Sequence, residues 1–349
     1  MLNYRPDIDA LRAYSILLVI LYHFEILNFS GGYIGVDVFF VISGYLMTNI
    51  IITDINKKKF NLLNFYTRRI KRIIPALFFI VILSLFFGYI FLNPFHFERL
   101  TESASSSVFG VSNFYFTGES GYFDNIGRYY KPLLHTWSLS IELQFYLFWS
   151  IFLIIFYKIL KNKIKYLIII IFLLSLGLSN VYSPRFEAFF FNPVLRLYEF
   201  GAGSLIYFFK FEFNKNKNDI FFIIGFLLIL IFSLLFDNES VFPGYNALVP
   251  CLGACLILIT SNNLNFFKDI FINKYSIYLG KISYSLYLVH WPIIVFYKYE
   301  NLYEIKFYEK VFLLVLSIIS AYYLYNFVEK PFRKPTNIRV KLFYKFTII

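Results

Sequence analysis

The sequence predicts an all-α fold, a polytopic transmembrane helical bundle of about ten spans with both termini cytoplasmic. Three observations carry this. Of 349 residues, 59% are apolar and only 15% charged, whereas soluble proteins carry about a quarter charged residues. Apolar runs near the roughly 20 residues that cross a bilayer recur along the whole chain. The basic residues, whose excess gives a net charge of +12, gather in alternate loops. The apolar content excludes disorder and a soluble nucleic-acid binder. Two cysteines exclude a disulfide scaffold and a multi-cysteine metal cluster.

The spans fall in order at about 11–28, 34–53, 73–92, 134–157, 166–181, 195–209, 220–236, 247–260, 282–299 and 311–328. The first is not a cleavable leader, because it carries His23 and Glu25 and runs straight into the second. With the N-terminus inside, the segments 1–12, 54–72, 158–165, 210–219, 261–281 and 329–349 are cytoplasmic. They hold 25 of the 33 basic residues but only 7 of the 21 acidic ones, as the preference of lysine and arginine for the inner side requires. The net charge is thus a topology signal. Residues 100–117 are moderately apolar, yet a span there would invert every later loop. Residues 93–133 are therefore expected to be a long outer loop with a re-entrant or interfacial helix. One membrane domain, 1–335, is followed by a basic cytoplasmic tail, 336–349.

Ionisable groups inside spans are costly and mark candidate sites. Arg12 and His23 are 11 residues apart, which places them within about 20° of one helical face and about 16 Å apart along the axis. An arginine at the inner rim suits an anion, and a deeper histidine suits proton transfer. Equally, His23 reads as a hydrogen-bonded interface histidine. Arg68, Arg69, Lys71 and Arg72 precede the third span, and Arg69 and Arg72, three apart, share a face. They read as a phosphate clamp or as a lipid-headgroup patch. In HTWSLSIELQFYLFW, Ser138 and Glu142 share a face with His135 one turn away, as in a polar pocket for a hydroxylated acceptor or in an interhelical bond. Asp37 and the pair Arg196/Glu199 read as ion pairs holding helices together. His290 lies in the ninth span before Pro292, and no role emerges for His96. No phosphate loop, nucleophile elbow or zinc helix is present, and no metal site is expected.

The ordered blocks YRPDIDALRAYSILLVILYHF, GGYIGVDVFFVISGYLMT, NFYTRRIKRIIPAL, HTWSLSIELQFYLFW, GKISYSLYLVHWPII and VEKPFRKP resemble the acyltransferase type 3 family, bacterial integral-membrane O-acyltransferases of cell-surface glycans. The family's Arg-x10-His signature falls on Arg12 and His23, its Arg-x-x-Arg on Arg69 and Arg72, and its glutamate on Glu142. A second acid often follows in relatives, where this chain has Leu143. Many members carry an extracellular SGNH esterase-like domain, so a stand-alone membrane domain is expected here, with a separate esterase-like protein as a candidate partner.

The resemblance implies acetyl-CoA or another acyl-CoA as co-substrate, with no permanently bound cofactor. It implies a lipid-linked oligosaccharide or surface polysaccharide as acceptor, in a multi-pass protein of the bacterial inner membrane surrounded by its lipids. Arg69 and Arg72, helped by Arg68 and Lys71, would hold the phosphates. The pantetheine arm would rise past Arg12 to His23, a general base or an acyl carrier. Glu142, Ser138, Asp37 and His135 would stand on the acceptor side. A transporter or flippase for a glycolipid or acyl carrier is the competing class.

Overall fold

The computed structural model describes residues 4–119, 122–123, 127–184, 187–209, 214–301 and 305–333; the expected tail, 336–349, lies outside them. Among the described residues the chain is all-helical, without a strand. In order come α1 (Pro6–His23), α2 (Gly35–Asn56), α3 (Leu62–Phe91), α4 (Pro94–Val108), α5 (Ser112–Thr117), α6 (Thr136–Leu160) and α7 (Ile164–Tyr182). Then follow α8 (Leu197–Ile206), α9 (Lys215–Leu235), α10 (Leu248–Thr260), α11 (Lys268–Phe271), α12 (Lys274–Glu300) and α13 (Phe307–Tyr323). A π-helical turn, Leu324–Glu329, leads into α14 (Lys330–Arg333).

Local chemistry sets the helix starts. Asn61 accepts from the Asn64 amide at 2.9 Å to cap α3, and Asn93 accepts from His96 at 2.8 Å to cap α4, with Pro94 behind it. Asn273 and Ser276 form a reciprocal capping box on α12. These satisfy amides that the first helical turn leaves without partners.

A helix lies at each of the ten apolar runs. Six helical segments are long and apolar enough to cross a membrane: Gly32–Asn56, Leu62–Phe91, Thr136–Tyr182, Asn216–Leu235, Lys274–Glu300 and Phe307–Arg333. The protein is a multi-pass membrane protein. Helices α8 and α10, of 10 and 13 residues, rise only about 15 and 20 Å, less than the roughly 30 Å of hydrocarbon. Helix α8 packs tightly on α2: a methyl group at Gly203 would strike the Val41 carbonyl, and one at Gly44 the Phe200 carbonyl. Residues 100–117 do not make a span. Helix α4 ends at Val108, Gly110 turns the chain with φ +70°, and the short α5 follows.

Two features position the site. Helix α1 packs chiefly along α12, and the approach is so close that a methyl group at Gly280 would meet the Asp9 backbone. From that crossing both helices run the same way, which brings His290 level with His23. The second feature is a buried ionic cluster. Arg196 Nη1 lies 2.7 Å from Asp37 of α2 and 3.0 Å from Glu199 of α8, all at most 1% exposed. Its guanidinium packs against the rings of Phe190 and Trp137, at 4.5 and 5.4 Å.

Removing one member of a buried ion pair costs about 3–5 kcal/mol, because the remaining charge is left without a partner. Arg196→Ala strands two carboxylates and is expected to lower the thermal midpoint sharply, read by size exclusion after heating in detergent. An unchanged midpoint would mean that the cluster does not hold α2 and α8 together.

Candidate active site

A cavity of about 810 Å³, its open mouth included, lies among α1, α2, α3, α6 and α12. Arg12, Arg69 and Arg72 line it together with Ser43, Ser138, Glu142, Tyr146 and Tyr287. Arg69 and Arg72 meet there because residues three apart are neighbours on a helix. Arg68 is a further 100° round; it is 62% exposed, with Asp54 at 3.9 Å. Neither Arg68 nor Lys71 is part of the lining, so the helical turn divides the basic cluster into an inward pair and two residues outside the cavity.

The cavity's three arginines make no hydrogen bond or ion pair among the described residues, and Arg69 Nε is fully buried without a partner. Arg69 lies over the rings of Phe65 and Tyr146, at 5.3 and 5.7 Å. Glu142, by contrast, is satisfied: the hydroxyls of Ser43 and Tyr146 both donate to it. Three guanidinium groups against one carboxylate leave the cavity net positive, an environment for a polyanion. At its far end Ser138 Oγ and Tyr287 Oη are 2.6 Å apart.

His23 is the last residue of α1 and 5% exposed. Its Nδ1 is 3.0 Å from His290 Nε2, and its Nε2 is 3.0 Å from the Tyr122 hydroxyl. The Trp291 ring packs against it at 4.7 Å. His23 does not line the cavity. A single layer of rings separates the two, since His290 lies 5.1 Å from His23 and 5.5 Å from Tyr287, a lining residue. His135 stands in that layer, 5.9 Å from His290 and 5.5 Å from Tyr287. Histidine and hydroxyl at hydrogen-bond distance are the elements of base-assisted nucleophilic chemistry.

Beyond His23 the chain forms a cover. Arg128 donates to Tyr22 at 3.2 Å and faces Glu25 at 3.7 Å; Tyr129 and Lys298 also bond Glu25, at 3.1 and 3.0 Å. A second cavity lies between α4, α5 and this cover, lined by His96, Arg99, Tyr115, Phe116, Tyr130 and Lys131. His96 stacks on Tyr130 at 4.5 Å. Trp291 donates to the Lys131 carbonyl at 2.9 Å, so this cavity's wall adjoins the ring that packs on His23.

Of the residues singled out in the sequence, Arg12, Arg69, Arg72, Ser138 and Glu142 thus share one cavity. His23 and His135 lie just past its end, and Asp37 belongs to the Arg196 cluster instead. Sequence reasoning did not find Tyr122, nor the pairing of His290 with His23. Tyr122 sits in an irregular stretch where no periodicity marks a facing residue. His290 was visible as a buried histidine, but its partner was not.

An acyltransferase domain family model matches residues 5–326. O-acetyltransferase OatA of Staphylococcus aureus is 33% identical over 350 residues, covering 95% of this chain and 58% of that protein. Peptidoglycan O-acetyltransferase OatA of Listeria monocytogenes is 33% identical over 355 residues, covering 95% and 56%. The chain therefore spans just over half the length of these relatives. No solved structure matches it. With a family model running through nearly every helix that builds the cavity and the histidine pair, the chain belongs to the acyltransferase type 3 family.

Proposed function

We propose that this chain moves an acetyl group from cytoplasmic acetyl-CoA through the membrane to a hydroxyl of a cell-wall or surface polysaccharide, as the name of its Listeria relative suggests for peptidoglycan. The observation that carries the reading is the set of three cavity arginines without a hydrogen bond or ion pair among the described residues, one layer of rings away from a buried histidine. Arginine forks suit phosphate oxygens, and coenzyme A is rich in phosphate. Arg69 and Arg72 hold the nucleotide phosphates at the cytoplasmic mouth. The pantetheine arm extends past Arg12 towards Ser138 and Tyr287. A modest shift of the Tyr287 and His135 rings, beside the His23–His290 pair, brings the thioester to His23.

The chemistry is acyl transfer. His23 Nε2 takes the proton of an attacking hydroxyl as its oxygen adds to the thioester carbonyl. The C–S bond then breaks, an ester forms, and the CoA thiolate leaves with a proton. The hydroxyl within reach of that nitrogen is Tyr122's, at 3.0 Å. This favours a relay in which Tyr122 carries the acetyl group before the sugar takes it. The second cavity, rich in aromatic and charged side chains, supports a sugar acceptor approaching from the side opposite the donor.

Three outcomes test the reading, using purified protein in nanodiscs with [14C]acetyl-CoA. His23→Ala is expected to lower transfer by about 10²–10⁴-fold, the range for a lost general base; full activity would remove His23 from the chemistry. Arg69→Ala with Arg72→Ala should raise the KM for acetyl-CoA at least about tenfold, more than about 1.4 kcal/mol of binding, with less effect on kcat. An unchanged KM would sink the clamp. Tyr122→Phe abolishes transfer and any label trapped on the protein under the relay, whereas wild-type turnover in that variant would leave direct transfer to the sugar. A protein that binds no acetyl-CoA at all would turn the assignment towards transport.

A further inference from the structure

Four groups on three segments form one directed hydrogen-bond chain in the bundle. His290 Nδ1 lies 2.7 Å from the Tyr287 carbonyl oxygen and 3.2 Å from that of Leu286. A carbonyl only accepts, so Nδ1 of His290 carries a hydrogen. The ring is 0% exposed, and among the described residues no carboxylate touches it. The charged groups that face the two imidazoles are cationic or neutral: Arg128, which bonds Tyr22 beside His23, and His135. A second proton on His290 would bury an uncompensated charge. His290 Nε2 is therefore a lone pair, and it points at His23 Nδ1 from 3.0 Å.

The consequence for His23 follows bond by bond. Its Nδ1 must carry hydrogen to donate to His290. Its Nε2 is then the free lone pair, 3.0 Å from the Tyr122 hydroxyl, which donates to it. The opposite tautomer would set two lone pairs against each other across the 3.0 Å contact and would leave Tyr122 no acceptor on that ring.

We infer that His290 is a positioning residue: anchored by the Tyr287 and Leu286 carbonyls, it fixes His23 in the Nδ1–H tautomer and aims the basic Nε2 at the reacting hydroxyl. The inference rests on the acetyl-transfer reading only for its catalytic consequence. His290 takes the place that a carboxylate fills in the serine-protease triad, where losing the correct tautomer costs about 10⁴-fold in kcat. A neutral imidazole backed by helix carbonyls is the cheaper device here, since a carboxylate among these rings would have to be desolvated at several kcal/mol. When His23 takes a proton, its Nδ1–H bond to His290 becomes charge-assisted and strengthens. Stabilisation thus arises as the base becomes charged, which is when the reaction needs it.

The chain has only four histidines, so the tautomer is directly readable. Protein with [15N]histidine in nanodiscs is examined by magic-angle-spinning NMR, with His23 assigned by the signals lost in His23→Ala. The wild type should show His23 with Nδ1 protonated and Nε2 bare. His290→Leu, which removes the acceptor, should shift His23 wholly or partly to the Nε2–H form. His290→Gln, whose side-chain oxygen can accept from His23, should retain Nδ1–H. In the same preparations, His290→Leu is expected to lower kcat for acetyl transfer by about 10²–10⁴-fold with KM for acetyl-CoA within about threefold, and His290→Gln to recover to within about tenfold of wild type. An Nε2–H wild type, a His23 tautomer unmoved in His290→Leu, or a loss confined to KM overturns the assignment. Should the wild type transfer no acetyl group, the proposed function falls, while the NMR spectrum of the wild type still decides the tautomer whether or not a variant folds.

Discussion

A polar group in the hydrocarbon layer has no water to turn to, so another protein group or a ligand must satisfy it. That constraint sorts the arginines of this chain. Arg196 is enclosed by Asp37 and Glu199, Arg5 by Asp7 and Tyr45, and Arg333 by Glu329. In each of these the charge is taken up by a carboxylate of the protein itself. Arg12, Arg69 and Arg72 face a cavity and find no such partner. Three guanidinium groups near one another, sharing their cavity with a glutamate already held by two hydroxyls, repel each other at a standing cost. Such an arrangement is economical only if an anion takes up the positive charge during turnover.

The same constraint governs the histidines. His23 and His290 satisfy one another and end on a backbone carbonyl at one side and a tyrosine hydroxyl at the other. The pairing depends on α1 and α12 lying in register, and Gly280 permits that register by letting the two backbones touch at Asp9. A larger residue there would move His290 away from His23 without altering either side chain. The chemistry at one end of the helices is thus tied to a packing detail roughly 15–20 Å away.

Much of this architecture was legible in the sequence. Hydrophobic length located a helix at each apolar run, and helical periodicity put Arg69 and Arg72 on one face, where they are found. Asp37 and the pair Arg196/Glu199 were read as ion pairs between helices, with Asp37 also expected on the acceptor side; the structure joins all three in one cluster away from the cavity. What periodicity cannot supply is which faces of different helices meet. Glu142 was read from its own helix alone, whereas the structure holds it with Ser43 of α2 and Tyr146 in the cavity that the arginines of α1 and α3 also line. Arg68 and Lys71 were grouped with their neighbours by proximity in sequence, and the 100° step of the helix separates them. Tyr122 had no signal at all: its position is set by a stack on Phe190 at 4.5 Å and a contact with Trp137 at 5.9 Å, long-range packing that no local pattern encodes.

The placement of the two cavities also bears on why transfer would need a buried histidine at all. A thioester reached by water is lost to hydrolysis, so a donor site and an acceptor site must not form one open channel. The arginine cavity ends at Tyr287 and Ser138, and the aromatic cavity adjoins Trp291 through the Lys131 carbonyl. Among the described residues, the rings of His290, His135, His23, Trp291 and Tyr122 stand between them. A barrier of this kind passes an acetyl group by small rotations of side chains, without opening a continuous path for solvent. On the proposed reading the base is located in the barrier itself, so the group that would activate the hydroxyl would also help to exclude the competing nucleophile, water.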